Sequence, residues 1–225
     1  MKKVLVIVAS LMLFISCSCP EVRVDGLTAV LQPNQIVEEM YSHHVTVKER
    51  IAHPGGCGSV VVGLNQLNTY ILTAGHCTFD NDTGPLPGVF VSNTMSGPMH
   101  FAKVLDRSWQ HDLALIKTRV LGNISPVKIA KYAPQVGDEV WVIGCPMNRD
   151  KVVSKGIVSA KTFPNMQLGK AFLIDAEVTY GNSGGGVYNI QGELVGILIE
   201  TRGRGHFAAA VHLDIIKKML KENNL

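Results

Sequence analysis

The sequence is dominated by short runs of β-branched and other apolar residues, each bounded by glycine, proline, asparagine or aspartate. Runs of this length, with turn residues at short intervals, are typical of strands in an all-β barrel or sandwich. One set precedes Ser125-Pro126 and a second set follows it, so we predict two barrels in tandem. The predicted strands cover residues 45–47, 59–62, 70–73, 89–92, 101–105, 113–116, 139–143, 156–160, 171–175, 186–188, 194–199 and 207–211.

Helical periodicity is confined to two places outside these runs. A brief amphipathic pattern covers residues 36–41, and a longer one covers residues 213–225, where apolar side chains recur at intervals of three or four. The segment 118–124 between the two sets of strands has no such period, which argues against alternating strands and helices. We expect the C-terminal helix to pack as a terminal strut.

The first residues have the pattern of an export signal. Met1-Lys2-Lys3 is followed by a mostly apolar run over Val4–Ile15, and this run is too short for an ordinary membrane span. Two processing sites are open: Cys17, in a sequence that loosely resembles a lipobox, would become a lipidated N-terminus, whereas cleavage before Cys19 would add no lipid. We predict an exported protein, periplasmic or extracellular, with Cys17 as a membrane tether in the first case.

The chain therefore divides into a signal segment (1–19), a linker with an N-terminal helix and strand (20–50), a two-barrel domain (51–212) and a C-terminal helix (213–225). A composition of 46% hydrophobic and 17% charged residues suits a packed core. The formal net charge is +3, and the loss of Lys2 and Lys3 would lower it by two to +1. So small a charge gives no sign of polyanion binding, and we predict no nucleic-acid partner.

Three short segments contain a histidine, an aspartate and a serine in the order of a hydrolase triad. They are residues 73–77 around His76, residues 111–115 around Asp112 and residues 181–186 around Ser183. A serine hydroxyl is a poor nucleophile unless an adjacent base takes its proton, and a third group must hold that base in one tautomer. Each segment alone is ordinary, and it is their joint occurrence that predicts a catalytic site.

Chain order separates this arrangement from two other folds that carry such a triad. The segment 181–185 also satisfies the G-x-S-x-G elbow of α/β-hydrolases, in which the acid and then the histidine follow the serine. After Ser183, however, both remaining histidines precede the next aspartate, and no crossover helix is predicted. The subtilisin order would need the acid before His76. The observed order is that of chymotrypsin.

The cysteines predict one disulfide, which export would permit. Cys57 and Cys77 lie at the two ends of a predicted strand-turn-strand unit, so a bridge would tie the loop of His76 to the neighbouring strand. No CxxC or His-x-x-His pair accompanies them, and a zinc site is the weaker alternative. Cys145 has no obvious partner and is interpreted as a small buried hydrophobe rather than a reactive thiol.

Together with the triad segments, residues 142–146, 156–160 and 175–185 resemble the trypsin- and chymotrypsin-like serine proteases, above all their bacterial Deg/HtrA branch. The resemblance implies two six-stranded antiparallel β-barrels with the site in the cleft between them. It makes Ser183 the nucleophile, His76 the base and Asp112 the orienting acid. The backbone N–H groups of Gly181 and Ser183 would then form the oxyanion hole.

The chain departs from the family pattern in two places. Asn182 occupies the position at which digestive members have an aspartate that pairs with a new N-terminus, so activation by N-terminal insertion is not expected. Deg/HtrA proteins continue into a peptide-binding PDZ domain, whereas this sequence ends at Leu225, and we expect a protease domain without PDZ.

We predict a serine endopeptidase that cleaves polypeptides through an acyl-enzyme and needs no metal or organic cofactor. Two alternatives are an esterase-like hydrolase with the same triad and a non-cleaving binding or chaperone-like homologue.

The substrate pocket is predicted from two residues. Glu177 lies six residues before Ser183, where trypsin-like enzymes have the acid of the pocket and Deg/HtrA members a small residue. A buried carboxylate would favour Lys or Arg substrates, and the alternative is that Glu177 faces solvent or pairs with Arg202 or Arg204. His206 is a second candidate for the same wall.

Overall fold

The computed structural model describes residues 32–48, 57–94, 96–146, 149, 151–162, 171–202 and 207–225. The two predicted helices and all the predicted strands are present. A short hairpin of two strands, each two residues long, was not predicted. The elements are α1 (Pro33–His43), β1 (Thr46–Lys48), β2 (Val60–Leu64), β3 (Asn68–Ala74), a 3-10 helix (Gly75–Thr78), β4 (Phe79–Asp80), β5 (Gly84–Pro85), β6 (Gly88–Ser92), β7 (His100–Ser108), β8 (Leu113–Arg119), β9 (Glu139–Gly144), β10 (Val152–Ala160), β11 (Ala171–Ile174), β12 (Gly186–Tyr188), β13 (Leu194–Arg202), β14 (Phe207–His212) and α2 (Leu213–Glu222).

The first unit is a curled six-stranded antiparallel sheet in the order β1-β6-β7-β8-β3-β2. Two isolated antiparallel bridges, Val47 with Cys57 and His44 with Val60, join its two edges. Its interior is filled by β-branched and other apolar side chains, because alternate residues of each strand point to the same face. The buried members include Val45, Val47, Val61, Ile71, Val89, Val91 and Ile116.

The second unit is a closed six-stranded antiparallel barrel in the order β10-β11-β14-β13-β12-β9. Its core has the same composition and includes Val140, Val142, Val158, Phe172, Ile174 and Leu198. The predicted all-β, two-barrel architecture with a short C-terminal helix is therefore confirmed.

A third apolar cluster joins the two units. It contains Leu72 and Leu113 from the first sheet together with Ile143 and Ile197 from the second barrel, all fully buried. Side chains of α1 and α2 belong to the same cluster. Because this cluster is shared, the ends of strands from both units meet along one seam.

Helix α2 packs as the expected strut. Its four buried residues are those that the helical spacing indicates, Leu213, Ile216, Met219 and Leu220. Just after the helix, Asn223 donates a hydrogen bond of 2.8 Å to Oδ2 of Asp106 in β7, which fastens the helix end to the first sheet. No helix in the part of the chain that the structure describes has the length and apolarity to cross a bilayer.

Candidate active site

Strand pairing brings His76 and Asp112 together. In the antiparallel pair β3–β8, Ala74 lies opposite Leu113. The residues just after β3 and just before β8 therefore meet at the same end of this strand pair. Oδ1 of Asp112 accepts the backbone N–H of His76 at 2.7 Å, and Oδ2 lies 2.7 Å from Nδ1 of its ring. A carboxylate only accepts, so this contact selects the tautomer with the proton on Nδ1. The carboxylate is buried, whereas the histidine side chain is 47% exposed.

A second set of contacts holds the 3-10 helix that carries His76. Thr78 Oγ1 donates to the carbonyl of Gly75 at 2.6 Å and accepts from Nε of Arg107 at 2.7 Å. The same guanidinium donates to the carbonyls of Thr78 and Leu86. These supporting residues were not predicted, because an arginine near the end of a strand carries no sequence signal of which groups it will hydrogen-bond.

Ser183 lies in a turn that docks on the first sheet. The carbonyl of Ser183 accepts the Gly58 N–H at 2.8 Å, and the carbonyl of Gly58 accepts Thr73 Oγ1 at 2.9 Å. Gly184 has φ +83°, and a Cβ there would overlap Gly58 O and Thr73 Oγ1. The turn therefore requires glycine at 184 for both its backbone conformation and its close approach.

The amide groups of this turn fall into two classes. Those of Asn182, Gly184 and Gly185 donate to backbone carbonyls at 3.1, 2.6 and 2.9 Å. Within the described ranges, those of Gly181 and Ser183 have no acceptor. Two unpaired N–H groups on one turn can together stabilise a negative oxygen that develops beside them.

The turn of Ser183 also lies beside the segment of His76. Sγ of Cys77, the residue after His76, is 3.8 Å from the carbonyl oxygen of Ser183. Oγ of Ser183 is 3.5 Å from the carbonyl of Ile199, which is at the outer limit for a hydrogen bond. The half-buried hydroxyl thus has only a weak contact on that side.

The predicted disulfide between Cys57 and Cys77 is present, with a Cα–Cα distance of 6.2 Å. It joins the segment that leads into β2 to the 3-10 helix, so the predicted tie to the loop of His76 is confirmed.

Cys145 is fully buried and has polar neighbours that its sequence context did not reveal. Its Sγ lies 3.1 Å from Nε2 of His44 and 3.0 Å from Oγ1 of Thr46. Its backbone N–H donates to the carbonyl of Gly181, in the turn of Ser183, at 3.2 Å. Burial lowers the pKa of His44 to about 3, and the positive charge of Lys151 acts in the same direction. The imidazole beside Cys145 is therefore neutral.

The candidate pocket residues are only partly described. Glu177 is solvent-exposed, in the segment between β11 and the turn of Ser183. Arg204 and His206 lie outside the described residues, as does Cys17.

Residues 56–197, more than half of the chain, match the family model of the trypsin-like peptidase domain. The chain belongs to the trypsin-like peptidase family. The family predicted from the sequence is thus confirmed.

Curated relatives of this peptidase domain include bacterial Deg proteins. A "Probable periplasmic serine endoprotease DegP-like" of Buchnera aphidicola is 35% identical over 144 residues, which cover 62% of this chain and 30% of the relative. A protein with the same description from Pseudomonas putida is 30% identical over 79% of this chain and 37% of its own length. "Serine endoprotease DegS" of Escherichia coli is 33% identical over 57% and 36%. The chain thus spans about a third of the length of these relatives.

A solved structure supports the fold. The crystal structure of the serine endoprotease from Yersinia pestis superposes with a TM-score of 0.69 at 26% identity, covering 86% of this chain and 67% of that one. The likeness extends over both barrels of the peptidase domain.

Proposed function

We propose that this peptidase domain is a serine endopeptidase that cleaves polypeptides with His76, Asp112 and Ser183. One observation carries the proposal. Among the described residues, two amide groups of the Ser183 turn have no acceptor, and the carbonyl of Ser183 lies 3.8 Å from Sγ of Cys77, the residue after a histidine whose ring is held by a buried carboxylate. Nucleophile, base, orienting acid and oxyanion donors are the four parts that acyl transfer requires.

In the proposed reaction, Ser183 Oγ attacks the substrate carbonyl carbon while Nε2 of His76 takes its proton. Asp112 stabilises the imidazolium that forms and keeps its orientation. The oxyanion receives hydrogen bonds from the N–H groups of Gly181 and Ser183, each worth about 2.7–4 kcal/mol in the barrier. His76 then protonates the leaving amine, and water hydrolyses the acyl-enzyme with the same base.

Labelling with a fluorophosphonate and mapping of the modified residue tests the nucleophile. We expect one adduct, on Ser183, in the wild-type chain and none in Ser183→Ala. Ser154→Ala on β10 is the matched control and should label like the wild type. An adduct on another residue, or unchanged peptidase activity in Ser183→Ala, would refute the assignment.

The variant Asp112→Asn tests the acid. It should lower kcat by about 10⁴, because an amide in this position favours the wrong histidine tautomer. A loss of less than tenfold would point to another acid, with Asp106 as the first candidate. The hydrogen bond from Asn223 to Asp106 Oδ2 argues against that candidate, since it directs this carboxylate toward α2.

The substrate pocket remains a separate proposal. Glu177 is exposed, so its charge would attract a Lys or Arg side chain only through a screened interaction. We propose a modest preference for a basic residue before the cut, with His206 on the same wall. A peptide-library profile of the wild type and of Glu177→Gln tests it. Only aliphatic residues at that position, in both proteins, would rule out the acidic pocket.

We also propose that the domain acts outside the cytoplasm. Relatives described as periplasmic and the signal-like residues 1–19 support this location. A lipid on Cys17 would tether the domain to a membrane. Intact-mass analysis of the mature chain decides between a lipidated Cys17 and cleavage before Cys19.

A further inference from the structure

Cys57, His76 and Cys77 form a cluster of metal-ligating side chains beside the proposed catalytic centre. Both sulfurs and one ring nitrogen of His76 lie within 4.8 Å of one another. Cys77 is buried and Cys57 half-buried, while the His76 side chain is 47% exposed. The cluster is therefore open to solvent on the histidine side, and a metal ion could enter there.

The contact with Asp112 prepares His76 to be a ligand. Oδ2 of Asp112 lies 2.7 Å from Nδ1, and a carboxylate on one ring nitrogen directs the lone pair of the other, Nε2, outward. The same carboxylate–histidine pair orients zinc-binding histidines and raises their basicity. A metal on Nε2 would take the lone pair that the proposed mechanism uses for the proton of Ser183.

While the disulfide is intact, the sulfurs of Cys57 and Cys77 cannot act as thiolate ligands. Only thiolates bind zinc strongly, and the sulfurs of a disulfide carry no charge. A dithiol reductant breaks the Cys57–Cys77 bond by supplying two electrons and two protons, and is itself oxidised to a disulfide. The two thiols then release their protons as the metal binds, which leaves two thiolates on a divalent ion.

The dimensions fit tetrahedral zinc. With Zn–S of about 2.3 Å and Zn–N of about 2.0 Å, the two sulfurs lie about 3.8 Å apart and each sulfur about 3.6 Å from the nitrogen. In the oxidised protein the two sulfurs are bonded to each other and lie within 4.8 Å of a ring nitrogen of His76, so after reduction the sulfurs must separate to about 3.8 Å while the nitrogen approaches them by at most about 1.2 Å. Two thiolates and an imidazole are also a ligand set that suits zinc.

We propose that reduction of Cys57–Cys77 creates a Cys₂His zinc site that includes His76 and reversibly inhibits the peptidase domain. The inhibition rests on the proposed function, whereas the metal binding does not. Reducing conditions with zinc would then inhibit the domain. A disulfide oxidant that accepts two electrons from the two thiolates and two protons from solvent, and is itself reduced to two thiols, would re-form the Cys57–Cys77 bond, release the metal and restore activity.

The metal site is tested on Ser183→Ala protein, which cannot digest itself. The protein is reduced with dithiothreitol, desalted under nitrogen and titrated with Co²⁺, whose absorption reports tetrahedral thiolate ligation, and then with Zn²⁺ in competition. We expect one metal per chain in the reduced protein and at least tenfold weaker binding in the oxidised one. Adding His76→Asn should weaken binding at least tenfold with both thiols present, whereas His100→Asn on β7 should leave it unchanged.

Activity is measured separately on the wild-type chain. Equimolar Zn²⁺ should abolish peptidase activity of the reduced form, EDTA should restore it, and the oxidised form should keep it. The proposal is overturned if reduced protein binds no Co²⁺ or Zn²⁺, if His76→Asn binds as tightly, or if reduction destroys the native circular dichroism and zinc does not restore it. Metal binding as expected without peptidase activity in either redox form would instead contradict the proposed function.

Discussion

Acid should destabilise this domain through His44 before it affects the carboxylates. His44 is fully buried beside Cys145, and burial with the charge of Lys151 lowers its pKa from 6.5 to about 3. The folded state therefore keeps His44 neutral where the unfolded chain protonates it. The contribution of His44 to the free energy of unfolding is therefore fully present above pH 6.5 and is lost progressively as the pH falls toward 3.

The size of the effect follows from the two pKa values. As the pH falls from about 7.5 to about 5, the number of protons that the unfolded state binds at His44 in excess of the folded state rises from about 0.1 to nearly one. This difference lowers the free energy of unfolding by about 2 kcal/mol. Partial burial also lowers the pKa of His43, so that residue should contribute a smaller change of the same sign.

Urea unfolding measures this quantity. The Ser183→Ala chain and the same chain with His44→Gln are unfolded at both pH values, and the pH-dependent part of the free energy is compared. Carboxylates are common to both proteins, so their contribution cancels to first order. We expect the loss of unfolding free energy between the two pH values to be about 2 kcal/mol smaller in His44→Gln than in the parent chain. In His43→Gln this loss should lie between those of the parent and of His44→Gln. Equal losses in the parent and in His44→Gln, within about 0.5 kcal/mol, would refute the reasoning.

Three further variants test other parts of the structure, each in the Ser183→Ala chain by urea unfolding. Tyr188→Phe should raise the free energy of unfolding by about 1 kcal/mol, because the fully buried Tyr188 hydroxyl has no hydrogen-bond partner among the described residues; a loss of stability would contradict this. Gly184→Ala should lower it by more than about 2 kcal/mol, whereas Gly122→Ala, where a Cβ meets open space, is the control; similar values for the two would be inconsistent with the docked turn. The double variant Cys57→Ser, Cys77→Ser should lower it by about 3 kcal/mol, because loss of a bridge that spans 20 residues gives the unfolded chain more conformational freedom. A change below about 1 kcal/mol would contradict this.

The strands could be predicted because their signal is local. Every predicted run overlaps an observed strand, since β-branched runs between turn residues favour extended backbone. Their ends were less predictable. β7 continues through Asp106 and Arg107 to Ser108, beyond its apolar part, by way of a register shift between Val104 and Asp106. The β4–β5 hairpin was missed because residues 79–85 have the composition of a turn.

The candidate site divides in the same way. The triad segments and the disulfide carry local motifs, and the pairing of Ala74 with Leu113 then brings His76 to Asp112. The contacts of Cys145 with His44 and Thr46, 101 and 99 residues away, depend on how two units pack and have no local motif. Sequence patterns therefore indicate the candidate catalytic residues and the disulfide, whereas the residues that hold them in place carry no such pattern.

The hydrogen bond from the Gly58 amide to the Ser183 carbonyl crosses from one unit to the other. Heat that separates the two units locally would therefore move the turn of Ser183 away from the first sheet, at whose end His76 lies, while each unit keeps its own backbone hydrogen bonds. Turnover should then decline at temperatures where far-ultraviolet spectra still look native. Deuterium uptake at the Gly58 amide would report this early inactivation in advance of melting.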